Sequence, residues 1–230
     1  MFANFLIPAL VSNNVAGLGN LAGFINRPET VINKIEKETL VVPEADYFGD
    51  ALKKNNLRLV FIQSFSQNKI LRFGSGIVLT QDGIIATINS VVPPDAEFYQ
   101  VWLDDMPQKA KVAYRDLRNN IALVKVESSN LSVVELSGVT PRLASSLLFM
   151  GKIVNFNKAE QIVEPVIVTS AQNSNFLFKA DYNESLFGAA LIDKDGKVLG
   201  IANFKNRIPV LIRSDRIKEV LGEYFEVSGF

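Results

Sequence analysis

Residues 73–92 read FGSGIVLTQDGIIATINSVV, and they decide the fold class because two apolar, β-branched runs flank Asp82-Gly83. Asp-Gly readily takes the positive φ values of a tight hairpin, so the stretch predicts strand, reversal, strand. The pattern returns in the second half of the chain. Aligned on Asp-Gly, residues 76–89 (GIVLTQDGIIATIN) and 189–203 (AALIDKDGKVLGIAN) each carry an apolar strand, a turn and a second apolar strand ending at Asn. Duplicated halves of one fold would look like this.

Working outward, short apolar and aromatic runs separated by turn residues fill the chain from Leu57. They are LRLVFIQS, ILRFGSGIVLT, GIIATI, FYQVWL, KAKVAYRD, IALVKVE, LSVVEL, SLLFM, QIVEPVIVTS, NFLFKA, AALID, KVLGIANF and IPVLI. Thirteen candidate strands with no helix between them predict an all-β protein built as barrels or a sandwich. Residues 57–136 are expected to form an N-terminal β-barrel, 137–146 (SGVTPRLASS) a connector, and 147–230 a C-terminal barrel closed by a helix. That helix is predicted over Ser214–Tyr224, with Ser214 as N-cap and Asp215 in its first turn.

Composition narrows the chemistry. The 230 residues include no His and no Cys, so imidazole bases, thiol nucleophiles and most transition-metal ligands are missing. No metal and no cofactor are expected. Twenty-four basic residues balance twenty-four acidic ones, which leaves no net field to draw nucleic acid, and nucleic acid is not an expected partner. Paired acids at Asp104-Asp105 and Asp193/Asp195 read as solvated loop charges rather than as acid catalysts or a calcium loop.

Residues 1–26 contain no charge. Their opening, MFANFLIPALV, is apolar enough for a membrane anchor or its remnant, while the later Asn and Ser residues and Pro8 suit a packed helix or leader. The run Gly17–Ala22 has the letters of a dinucleotide fingerprint, but no strand precedes it. Residues 27–56 are expected to be a helical stalk or linker: Pro28 suits a first helical turn, Pro43 stops that helix, and Ala45–Asn56 gives a second, short amphipathic segment. These helices could dock on the domain behind them or drive homo-oligomerisation.

The order of motifs resembles the protease domain of HtrA-type, trypsin-like serine proteases over roughly Leu57 to Leu221. Residues 73–92 are similar to the family segment in which a Gly-Ser-Gly strand and Asp-Gly hairpin lead to Thr-Asn-x-His-Val-Val. NNIALVKVE resembles its Asp-Leu-Ala-Val-Leu-Lys strand, and FGAALIDKDGKVLGIANF its Ser-Gly-Gly-Pro-Leu-Val region. IPVLIRSDRIKEVL resembles the strand and Pro-Ser-Asp helix that end the domain. The resemblance implies a double β-barrel, trypsin-like serine protease fold with N-terminal helices and a short C-terminal helix.

Carried over position by position, the resemblance places the family's His on Ser90, its Asp on Asn120 and its nucleophilic Ser on Phe187. The oxyanion-hole segment falls on Ser185 and Leu186. Gly188 matches a family glycine, and Ala189 and Ala190 replace Gly and Pro. On this reading the chain is expected not to be an enzyme but a protein- or peptide-binding or scaffold module, extracytoplasmic and membrane-tethered through residues 1–26. Its cleft would involve Phe176, Phe178, Tyr182, Phe187, Val198 and Gly200, with Phe187 filling the old pocket. The family often appends a PDZ domain. This chain ends at Phe230, so peptide capture is expected on the barrels, by strand addition near Val198 to Phe204. The alternatives are a hydrolase with non-imidazole chemistry, such as a Ser-Lys pair of Ser185 with Lys179, and a structural oligomerising subunit.

Overall fold

The computed structural model describes residues 48–172 and 175–229. Six strands, β1 (Leu59–Ser66), β2 (Lys69–Val78), β3 (Ile84–Ile88), β4 (Phe98–Leu103), β5 (Met106–Asp116) and β6 (Ile121–Val126), close into an antiparallel barrel. Their order is β1-β2-β3-β6-β5-β4. The second half is a six-stranded antiparallel sheet of β7 (Ser146–Asn155), β8 (Lys158–Gln172), β9 (Asn175–Phe178), β10 (Ala190–Ile192), β11 (Val198–Lys205) and β12 (Ile208–Arg213). Here the order is β12-β11-β10-β7-β8-β9. Helix α1 (Gly49–Asn55) precedes the barrel and helix α2 (Ser214–Ser228) ends the chain. This is the expected all-β, double-barrel architecture of the trypsin-like fold.

Alternation along the strands decides what each half buries. Leu147, Phe149, Val166, Val168, Leu191, Leu199 and Phe204 form the core of the second sheet, while Leu148, Met150, Ala190, Ile192, Val198 and Ile201 turn their side chains into the first core. Strands β7, β10 and β11 are therefore covered on both faces. That explains why SLLFM and AALI read as continuous apolar runs and not as alternating ones.

The Asp-Gly reversals are not the expected two-residue turns. Only Gly83 (φ 101°) and Gly196 (φ 77°) enter positive φ, and Gly196 N–H donates to Asp193 O at 3.0 Å. Each is a turn of ordinary hand closed by a glycine, because Asp at the third position tolerates negative φ and leaves the left-handed position to Gly. The tight turns lie elsewhere, at Gln67-Asn68, Phe156-Asn157 and Asn206-Arg207, where both residues have positive φ. Phe156 is 98% exposed at φ 47°, so its ring gains no burial to offset the backbone strain. Phe156→Asn should raise stability by about 0.5–1 kcal/mol in urea denaturation, since Asn visits that region at lower cost.

Two further expectations are corrected. LSVVEL (131–136) is not a strand: Leu131 and Val134 donate singly to Gln81 O and Val78 O, and only Leu136 forms a bridge, to Val198. Its N–H groups are spent on separate elements, so no ladder propagates. Helix α2 runs four residues past Tyr224, to a cap at Gly229 (φ 73°). Ser214 does not cap it. Arg213 holds that position, and the Ser214 hydroxyl donates instead to the carbonyl of Ser137.

Helix α1 is docked on the second half. Asn55 Nδ2 donates to Ala51 O and Gly196 O, each at 3.0 Å, and Lys54 pairs with Glu135 at 3.1 Å. Hydrogen bonds from the Lys197 ammonium above all, and from Lys54, hold the Glu135 carboxyl below its ordinary pKa. The uncharged leader, the Gly17–Ala22 run and residues 27–47 lie outside the described residues. Among those described, no helix is long and apolar enough to cross a membrane.

Candidate functional site: an apolar cleft around Phe187

The segment carrying Phe187 is held against β2 by one buried serine. Ser75 N–H donates to Phe187 O at 2.7 Å and its hydroxyl to Ser185 O at 3.0 Å. The same hydroxyl accepts from Lys152 N–H at 2.9 Å, and Ser75 O accepts from Thr87 Oγ1 at 2.7 Å. One residue thus ties the first barrel, β7 and the Phe187 segment together. Glycines on both sides permit the approach. A Cβ on Gly74 would lie 2.6 Å from Val91 Cγ2, and one on Gly188 (φ 74°) would lie 2.7 Å from Thr87 Oγ1 and overlap the Ser75 carbonyl oxygen.

Beside this junction lies a cleft of about 460 Å³, lined by residues 70–73 and by Ser90, Val91, Tyr182, Glu184 and Phe187. Tyr182, Phe187 and Phe204 form a triangle of edge-to-face rings with centroids 5.4–6.1 Å apart. Aromatic edge-to-face pairs add to simple burial. The Arg207 guanidinium lies 5.6 Å over the Tyr182 ring.

Of the residues singled out from sequence, Ser90, Tyr182 and Phe187 share the cleft. Asn120 is not among its lining residues. It sits at φ 56° in the β5–β6 turn, and its carbonyl accepts the N–H of Asn89, next to Ser90. Leu186 is buried in the second core and Ser185 turns its carbonyl to Ser75. Phe176 and Phe178 also belong to that core, Phe178 packing edge-on to Phe149 at 5.9 Å. They do not line the cleft.

Val198 and Gly200 are likewise removed from it. Both are buried in β11, which is paired to β10 on one side and to β12 on the other. Strand addition at Val198–Ala202 is excluded because neither edge is free there. Lys179 is exposed and has no hydrogen bond to Ser185 among the described contacts.

The free edge is on β2, which sequence reasoning missed. Strand β3 pairs with β2 only at Ile77 and Val78, and the Phe187 carbonyl takes Ser75 N–H. Ser75 directs its N–H and C=O away from β1, so by alternation Phe73 does too, toward the cleft. Residues 70–73 all line the cleft although consecutive side chains alternate, as they must where a cleft meets a strand edge-on. A bulge between Ser64 and Phe65 opposite Leu71 bends β2 there.

Comparison with known proteins agrees with this architecture. A family model described as trypsin-like peptidase domain matches residues 74–201, more than half of the chain. Serine protease HTR4 of Rattus norvegicus is 28% identical over 167 residues, covering 66% of this chain and 34% of its own. A probable periplasmic serine endoprotease, DegP-like, of Pseudomonas fulva is 31% identical over 145 residues, covering 59% of this chain and 29% of its own. The chain spans about a third of the length of such relatives. A solved serine endoprotease from Yersinia pestis superposes with TM-score 0.68 at 22% identity over 78% of this chain and 66% of that one. These relatives correct one expectation drawn from sequence, that the chain is not an enzyme: they are named serine proteases and endoproteases, and they point to a protease family.

Proposed function

The chain belongs to the trypsin-like peptidase domain family, and within it we propose that the Phe187 cleft holds an extended, largely apolar peptide. The observation that carries this reading is the free edge of β2 at Phe73 beside the aromatic triangle. A peptide lying there would gain backbone hydrogen bonds from Phe73 and apolar contact with Tyr182, Phe187 and Val91, the division of labour by which edge-strand binders combine affinity with specificity. The chain has no imidazole to move a proton from a hydroxyl, and the Phe187 ring offers contact surface at the position that the family pattern gives to a nucleophile. The Pseudomonas relative's description as periplasmic supports an extracytoplasmic setting for this chain.

The test titrates the full chain with a fluorescein-labelled heptapeptide of alternating Val and Ala, read by anisotropy. Saturable binding is expected. Phe187→Ala should weaken it at least tenfold, as loss of a central aromatic anchor does, and N-methylating the central peptide amides should abolish it. Absence of saturable binding, or binding indifferent to both changes, would overturn the proposal.

A second reading keeps hydrolysis, carried by a hydroxyl without imidazole, and it is favoured by the names of the relatives. Ser90 is the exposed aliphatic hydroxyl lining the cleft. A phosphonylating probe that labels Ser90, together with peptide fragments in the same titration by mass spectrometry, would establish this reading in place of simple holding.

A further inference from the structure

The cleft carries a charge feature that the apolar-peptide reading leaves unused. Arg72 lines it and is exposed, and its Nη1 donates at 3.0 Å to Leu71 O, the carbonyl of its own neighbour at the β2 bulge. Among the described residues the Arg72 guanidinium has no carboxylate within ion-pair distance, and neither has that of Arg207 above Tyr182. Four of the five N–H donors of Arg72 are left to solvent at the mouth of an apolar cleft. Glu184 is the one carboxylate in the lining, and Tyr182 OH reaches it at 3.5 Å.

An exposed guanidinium resting on a neutral carbonyl is poorly used, because its bonds to a carboxylate are charge-assisted and can be bidentate. We propose that Arg72 reads a carboxylate on the bound peptide, so that the cleft selects an extended segment with an acidic residue beside large apolar ones. The inference rests on the peptide-holding reading and names its ligand class. Glu184, also in the lining, repels an acid set beside it, which favours registers that bring the acid to Arg72. Arg72 is then a specificity residue. It leaves the guanidinium–carbonyl bond to Leu71 when an acidic ligand arrives.

The experiment measures binding of acetylated, amidated Val/Ala heptapeptides in which Glu, Gln or Lys is placed at each position in turn. At one position Glu should bind about tenfold tighter than Gln, with Lys weakest, and the gap should narrow as salt is raised. In Arg72→Glu the ranking should invert at that position, with Lys preferred over Gln and Glu weakest. Equal affinities for the three series, or a ranking that Arg72→Glu leaves unchanged, would overturn the assignment while peptide holding stands. A ranking that inverts with Arg207→Glu and not with Arg72→Glu would overturn it equally. Failure of every peptide to bind would instead bring down the underlying reading.

Discussion

Gly188→Val should destabilise the chain by about 3 kcal/mol or more, or prevent folding, and should erase the cleft. Gly188 sits at φ 74°, where a β-branched residue is strained, and any Cβ there overlaps the Ser75 carbonyl and crowds Thr87 Oγ1. Backbone strain of about 1–3 kcal/mol and overpacking of about 1–3 kcal/mol act together. The segment cannot simply move away. Gly188 N–H donates to Ala202 O and the Phe187 carbonyl accepts from Ser75, so withdrawal breaks the contact between the halves. Gly222→Ala in helix α2, where an added Cβ meets nothing within 4 Å, is the matched control and should be neutral or stabilising by up to about 1 kcal/mol. Urea midpoints measure both. An unchanged midpoint for Gly188→Val would mean that the Phe187 segment is not clamped to β2.

The second large effect is at Lys152, a residue only 2% exposed although it carries an amine. Its Nζ donates to Asn56 Oδ1 at 3.0 Å. Burial pushes its pKa below 10.5, and the charges of Asp104 and Asp105 only partly counter this. The unfolded chain therefore binds more protons between the lowered pKa and 10.5. The penalty is fully present below that window and is relieved as pH rises through it, so stability rises with pH there. Lys152→Glu should cost roughly 3–5 kcal/mol, since it buries a carboxylate facing two others. Lys152→Met should fold with a midpoint equal to or above the parent's, and it should remove the alkaline rise. Asn56 is exposed and recovers its hydrogen bond from water. Denaturation at a series of pH values between neutrality and 11 distinguishes these outcomes. A Met variant much weaker than the parent would show that the amine is a net stabilising group.

Much of the framework is legible in residues 73–92 and 189–203 because hairpin grammar is local. Apolar strand periodicity and a Gly able to take positive φ need no tertiary knowledge. The same locality explains the errors. LSVVEL has the composition of a strand, but its N–H groups go to Val78 O on β2 and Gln81 O beyond it, while Glu135 O accepts the Val198 N–H of β11. Ser214 has the chemistry of a helix cap, yet it falls inside the helix, behind Arg213 at the cap position, and its hydroxyl donates to the Ser137 carbonyl. Turns at Phe156-Asn157 and Asn206-Arg207 carry no Gly, so a single Asn in each was the whole signal for left-handed backbone, and Phe156 and Arg207 beside it gave none.

The cleft divides in the same way. Ser90, Tyr182 and Phe187 could be named from motif positions alone. The departure of Phe178, Val198 and Gly200 into the core depends on which face of each strand is covered by the other half, and no spacing in the chain encodes that. The vacant edge of β2 exists because β3, its neighbour in sequence, pairs with it only at Ile77 and Val78, and beyond them the Phe187 carbonyl, from a segment far away in sequence, takes the Ser75 N–H. By itself the sequence determined the strands, the all-β class and the absence of imidazole, since these follow from side-chain identity and local backbone preference. Tertiary structure alone decided which strand edge stays open and which aromatic rings meet there, because hydrogen-bond partners and burial are assigned only when the two halves close on each other.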